Sequence, residues 1–131
     1  MKWELGYLYI SVKDTDKAAK YYCEMMGAKV LWRMAKYGAV VAAVQTAPGQ
    51  PILLLNDHSK PPRAEMVFVV DDAAEAQKHL KKAGARNLSD AEEGPTGMMA
   101  TFTDLDGNTI CVLDHSHLDA FLSRVHGKKG N

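Results

Sequence analysis

Phe68-Val-Val-Asp-Asp72 runs into Ala73-Ala-Glu-Ala-Gln-Lys-His-Leu-Lys-Lys-Ala83 and stops at Gly84-Ala85. An earlier stretch has the same order of parts: Ile10-Ser-Val-Lys-Asp14, then Thr15-Asp-Lys-Ala-Ala-Lys-Tyr-Tyr-Cys-Glu-Met-Met26, then Gly27-Ala28. Each reads as the end of an alternating strand, an acidic helix cap, a helix and a glycine stop. Asp14 or Thr15, and Asp71 or Asp72, offer the side-chain oxygens that accept the free N–H groups of a helix start. Gly27 and Gly84 suit the left-handed residue that ends a helix. Val12 corresponds to Val70, an offset of 58 residues, with one residue fewer in the second helix. An internal repeat of this kind fixes the architecture before any single element does.

Working outward, the ends of the two repeats align at the same offset: Gly49-Gln-Pro-Ile-Leu-Leu-Leu-Asn56 and Gly107-Asn-Thr-Ile-Cys-Val-Leu-Asp114 are each a turn glycine followed by an apolar strand. Between helix and last strand, the first repeat has strands at Lys29 to Met34 and Ala39 to Val44, separated by Lys36-Tyr37-Gly38. The second has Arg86 to Leu88 and Met98 to Asp104, separated by a loop from Ser89 to Gly97. The chain is therefore α+β, one domain of two tandem βαβββ modules. Module one covers 3–57, a Pro-rich linker 58–63 and module two 64–114. Beyond them Ser116-His-Leu-Asp119 has the pattern of a capping box, opening a helix over 116–126 with Leu118, Phe121, Leu122 and Val125 on one face.

Composition narrows the function. At 131 residues and 47% apolar content the chain has enough material for one continuous core. Sixteen basic against sixteen acidic residues leave no net positive field to attract nucleic acid or an anionic membrane. The Lys128-Lys129 tail is too short to change that balance. No apolar run approaches a membrane span or a signal-peptide core, so the expected location is cytoplasmic. Cys23 and Cys111 fall in a helix and a strand, with no disulfide or zinc-knuckle spacing, and are expected to be reduced.

The residues that now carry the argument are Val12-Lys-Asp14 with Tyr21-Tyr22 and Met26-Gly27, Phe68-Val-Val-Asp-Asp72, and the turn Asp104-Leu-Asp-Gly-Asn108. Together they resemble the vicinal oxygen chelate superfamily of glyoxalases, bleomycin-resistance proteins and extradiol dioxygenases, over nearly the whole chain to Leu113. Leu105 stands where that family usually has proline, a substitution the remaining Asp106-Gly107-Asn108 turn tolerates. The resemblance implies a mixed sheet curled around a cavity. It also implies, in metalloenzyme members, one metal ligand on the first and one on the last strand of each module.

Strand alternation selects the side chains that face such a cavity. Leu8, Ile10 and Val12 form one packing set, leaving Tyr7 and Tyr9 opposite. Met66, Phe68 and Val70 form the other, leaving Glu65, Val67 and Val69 opposite. The 58-residue offset maps Tyr7 onto Glu65 and Leu53 onto Cys111. The family's ligand positions thus become Tyr7, Leu53, Glu65 and Cys111. Leucine donates nothing to a metal, and a phenol is protonated at neutral pH. One carboxylate and one thiol suit a hard divalent cation poorly.

No cofactor is therefore expected, and the ligand-binding set is Tyr7, Tyr9, Leu53, Glu65, Val67 and Cys111. The leading reading is a metal-independent binder of a small organic molecule, assembled as a homodimer. The alternative is a divalent-metal lyase, isomerase or dioxygenase of the glyoxalase type, using Glu65 and Cys111 with further ligands supplied from loops, and His115 and His117, two apart after the last strand with Asp114 nearby, are a separate place where a metal could bind. A metal-free enzyme with Glu65 as general base is a third.

Overall fold

The computed structural model describes residues 1–36 and 38–127. Tyr37 and the Lys128-Lys129 tail lie outside the described residues. The elements run β1 (Glu4–Ser11), α1 (Thr15–Met26), β2 (Lys29–Lys36), β3 (Ala39–Gln45), β4 (Ile52–Asn56), β5 (Arg63–Val69), α2 (Ala73–Ala83), β6 (Glu92–Glu93), β7 (Met98–Thr103), β8 (Thr109–Leu113) and α3 (Leu118–Gly127). This is an α+β architecture of two βαβββ modules with a short C-terminal helix. By their internal contacts the residues form two compact units, Gly6–Ala64 and a second made of Met1–Leu5 with the chain from Glu65 onward. No helix among the described residues is long and apolar enough to cross a membrane.

In the first module the strand order is β2-β3-β4-β1, with β1 and β4 parallel and the other pairs antiparallel. Helix α1 starts where the Asp14 side chain accepts the Lys17 N–H and stops at Gly27, whose φ of 67° only glycine adopts without cost. It covers one sheet face. Ala19, Ala28, Ala42, Val44 and Leu55 form the buried centre there, with Ile10, Val12 and Leu53 packed around them. Arg33 on β2 reaches the same side and makes a two-toothed ion pair with Asp16 of α1, at 2.8 and 3.0 Å.

The second module repeats this plan as β5-β8-β7-β6. Asp72 caps α2 by accepting the Glu75 N–H, and Gly84 ends it in the left-handed conformation. Val70, Ala73, Ala76, Leu80, Ala100 and Val112 are the buried centre under α2. Trp3, from the start of the chain, packs against this cluster and sets its ring 6.5 Å from that of His79. The turn before β8 needs no proline at Leu105. The Asp104 carboxylate accepts the N–H groups of Asp106 and Asn108 and the Asn108 side-chain amide.

Two local expectations change. Arg86 to Leu88 is not a strand: Asn87 takes φ 54°, a left-handed position that an asparagine tolerates, and only an isolated bridge from Arg86 to Thr103 survives. The module's short strand is Glu92–Glu93, inside the stretch expected to be loop, where it pairs with Met98 and Met99. Ser116 does not cap the last helix. Its hydroxyl donates to Asp114 at 2.7 Å, and the helix begins two residues later at Leu118.

Candidate functional site

Each module presents one sheet face to its helix and one away from it, and the register of the paired strands decides which side chains share the second. In the second module Val67 lies opposite Cys111, and Cys111 opposite Thr101. Directly opposed residues point the same way, so these three form a row across β5, β8 and β7. Glu65, two residues before Val67, stands on the same face. The alternate residue Val112 belongs to the cluster under α2 and lies opposite Phe68.

Val67 and Cys111 are buried, at 4% and 8% exposure. Glu65 and Thr101 are half-buried. Burial pushes the Cys111 thiol up to about 11, and the negative charge of Glu65 pushes it the same way. The thiol is consequently protonated at neutral pH and is neither a nucleophile nor a ready metal ligand. Thr101 is anchored through its backbone, since its N–H donates to the Ser89 hydroxyl and its carbonyl accepts the Ser89 N–H.

In the first module Tyr7 lies opposite Ile52 and Tyr9 opposite Leu54. Leu53 lies opposite Leu8 and packs with the cluster under α1. The expectation that Leu53 shares a face with Tyr7 and Tyr9 is therefore corrected: Leu54 occupies that position. The offset is 58 residues for the first strands and 57 for the last, Leu54 to Cys111. The turn glycines concealed the change. Gly107 precedes Ile110, the partner of Met66, by three residues, whereas Gly49 precedes Leu53, the partner of Leu8, by four. A slip of one residue moves a strand's whole set of side chains to the other face.

Two further residues were missed. The pairing of Leu54 with Ala43, and of Ala43 with Trp32, extends the Tyr9 row to the first module's outer strand. Trp32 enters it only because of a bulge between Val30 and Trp32, which no alternation pattern reveals. Thr101 carried a usable signal, since simple alternation along Met99-Ala-Thr-Phe-Thr103 separates it from Ala100 and Phe102. Burial raises the pKa of the Tyr7 phenol further above neutrality.

The donors available to a metal at the family's positions are thus a neutral phenol, a leucine, a carboxylate and a protonated thiol. This set does not fit a divalent cation. Among the described residues no group of three or more His, Cys, Asp and Glu side chains converges as a metal cluster would. His115 is half-buried, and burial lowers its pKa against the opposing pull of Asp114. His117 is exposed, and its backbone N–H donates to the Thr96 carbonyl.

Comparison with known proteins places this arrangement. The family model described as glyoxalase/bleomycin resistance protein/dioxygenase superfamily matches residues 4–112. The chain belongs to that superfamily. Among solved structures it is similar to a methylmalonyl-CoA epimerase from Mycobacterium tuberculosis, with 19% identity over 89% of this chain and 91% of that one and a TM-score of 0.73. It is similar to a methylmalonyl-CoA epimerase in complex with methylmalonyl-CoA and NH4+, with 15% identity over 88% and 96% and a TM-score of 0.69. A hypothetical protein from Bacillus halodurans C-125 shares 14% identity over 87% and 95%, with a TM-score of 0.72. At these identities the likeness speaks for the superfamily fold. Among curated proteins none matches significantly.

Proposed function

We propose that this superfamily member binds a small, partly apolar organic molecule without a metal ion. Its binding residues are Tyr7, Tyr9 and Leu54 on the helix-distal face of the first module, and Glu65, Val67 and Cys111 on that of the second. The observation that carries the reading is the chemistry of the second row. One carboxylate lies two residues from a buried valine and a protonated thiol, a surface that can orient an apolar ligand through a single charged hydrogen bond. A cytoplasmic chain acting as a single domain and as a homodimer completes the proposal. For the homodimer, the exposed Tyr21, Met25, Met26 and Val30 offer apolar surface to a second copy.

The complex of a similar epimerase with methylmalonyl-CoA makes an acyl-CoA thioester the natural competing ligand. Thermal-shift screening of neutral, amine-bearing and carboxylate compounds, with CoA thioesters included, supplies the binding assay. A charged hydrogen bond contributes about 1.5–3 kcal/mol, so Glu65→Gln is expected to weaken the best hit by roughly ten- to a hundredfold while leaving the fold intact. Unchanged affinity in Glu65→Gln removes Glu65 from the site.

A further inference from the structure

We propose that a second copy of the chain docks along α1, antiparallel and across a twofold axis, so that Lys17 of each copy meets Glu24 of the other about a centre at Tyr21. The inference rests on the homodimer reading above and goes beyond it in naming the element, its direction and the charged pair. The two helices of the repeat differ in how their charges lie. Helix α2 carries Glu75 in its first turn and Lys81 and Lys82 in its last, the order a helix dipole favours, and leaves no large apolar side chain exposed. Helix α1 is built the other way. Lys17 stands in its first turn and Glu24 in its last, each at the end the dipole disfavours, and its last turn has no basic residue. Asp16, the acid of the first turn, is taken by Arg33 of β2. Lys17 and Glu24 are exposed and enter no ion pair among the described residues.

The apolar part of the surface lies on the same side of the helix. At about 100° per residue, Lys17, Tyr21 and Glu24 fall within about 60° of one another, opposite the buried Thr15 and Ala19. Met25 is one turn beyond Tyr21. Tyr21 is 59% exposed and Met25 67%. The Tyr21 ring stands edge-on to that of Tyr22 at 6.2 Å, and Tyr22 packs into the cluster under α1, which holds this anchor in place. At about 1.5 Å of rise per residue, an antiparallel copy centred on Tyr21 sets Lys17 level with the partner's Met25 and about 1.5 Å along the axis from the partner's Glu24. The twofold axis forms this pair twice. Each Lys17 then lies beside the last turn of the other helix and each Glu24 beside the first, where the neighbouring dipole favours them. A parallel copy would instead set Lys17 beside Lys17 and Glu24 beside Glu24.

Cysteine pairs and charge reversal read this arrangement in the full-length chain. In a Cys23→Ala/Cys111→Ala background, Lys17→Cys and Met25→Cys proteins are mixed and oxidised by oxygen with a copper catalyst, which takes two electrons and two protons from each thiol pair as the S–S bond forms. The mixed disulfide is expected to exceed either homodimeric one by about tenfold. Two copies of position 17, or of position 25, lie about 12 Å apart along the axis, too far for a disulfide. In sedimentation, Lys17→Glu and Glu24→Lys should each weaken the dimer by about ten- to thirtyfold, since each turns two attractions into two repulsions. The double reversal should restore it. A dimer that gives no excess of mixed disulfide, or that the single reversals leave unchanged, overturns the α1 interface while the homodimer reading stands. A monomer at micromolar concentration overturns both and leaves the face to a different protein.

Discussion

Asp57 ends the first module's last strand by accepting one backbone N–H, that of Val40, at 2.8 Å. Asp114, at the corresponding place in the second, accepts the N–H groups of Ala73, Met98 and Ser116 and the Ser116 hydroxyl. The first residue of the helix is also handled differently. In module one the Thr15 hydroxyl donates to the Val40 carbonyl, whereas in module two the alanine there, Ala73, gives its own N–H to Asp114. Beyond the Asp14 and Asp72 caps, the same βαβββ plan thus ties the first residue of its helix to β3 through the Thr15 hydroxyl in one copy and to the buried Asp114 carboxylate in the other. The lesson is that at the end of its last strand the second module gathers several bonds on Asp114, which is 3% exposed.

Removing the carboxylate tests this contrast most severely. Asp114→Ala leaves three backbone donors without their partner, at about 1–3 kcal/mol each before relaxation, so a net loss of about 3–5 kcal/mol is expected in urea unfolding. Asp57→Ala is expected to lose about 1 kcal/mol. Equal losses would break the comparison. Acid sharpens it. Burial acts to raise the Asp114 pKa, but the hydrogen bonds from Ala73, Ser116 and Met98 together outweigh it and hold the group below its ordinary value. A carboxyl with a depressed folded pKa stabilises the fold above its unfolded value of about 3.9, and that stabilisation is lost as pH falls through the folded value. The wild type should therefore lose stability below about pH 4, and Asp114→Asn should show a shallower acid limb in the same titration.

Gly97 is the next lever. It sits at φ 154°, and a Cβ there would run into the Asp114 carboxylate and the Ser116 hydroxyl. Gly97→Ala should cost about 2–3 kcal/mol, whereas Gly38→Ala, at φ 76° in open space, pays only the backbone strain of about 1 kcal/mol. The register difference gives a smaller effect. Leu53 packs beneath α1 and Leu54 does not, so Leu53→Ala should lose about 2 kcal/mol and Leu54→Ala about 1 kcal/mol, with ligand affinity changed in Leu54→Ala alone. The smallest effect is kinetic. Iodoacetamide labelling of Cys111 should rise with a midpoint near 11, and Glu65→Gln should move that midpoint down by less than burial moves it up.

The repeat, both acidic caps, both glycine stops and the division into packing and helix-distal faces along the first strand of each module were legible, because each rests on local chemistry: an oxygen before a helix, a glycine after it, alternation along a strand. What escaped depends on pairing between distant segments. Leu53 and Leu54 are both leucines in an unbroken apolar run, Ile52 to Leu55, so nothing in their identity tells which faces α1. Only the register with Leu8 and Tyr9 does so. Trp32 was hidden by a bulge, and Arg86 to Leu88 failed as a strand because one asparagine took a left-handed turn. The role of Asp114 was hidden for the same reason, since its partners Ala73 and Met98 are remote in sequence and bind through the backbone, which leaves no mark on residue type.

The central claim, binding without a metal ion, is tested most directly by elemental analysis of protein purified without chelators and then dialysed with nickel, zinc, iron or manganese. The account predicts retained metal well below one ion per chain and a melting temperature unmoved by chelator. Near-equimolar retention of any of these ions, together with a chelator-induced fall in melting temperature, would contradict it.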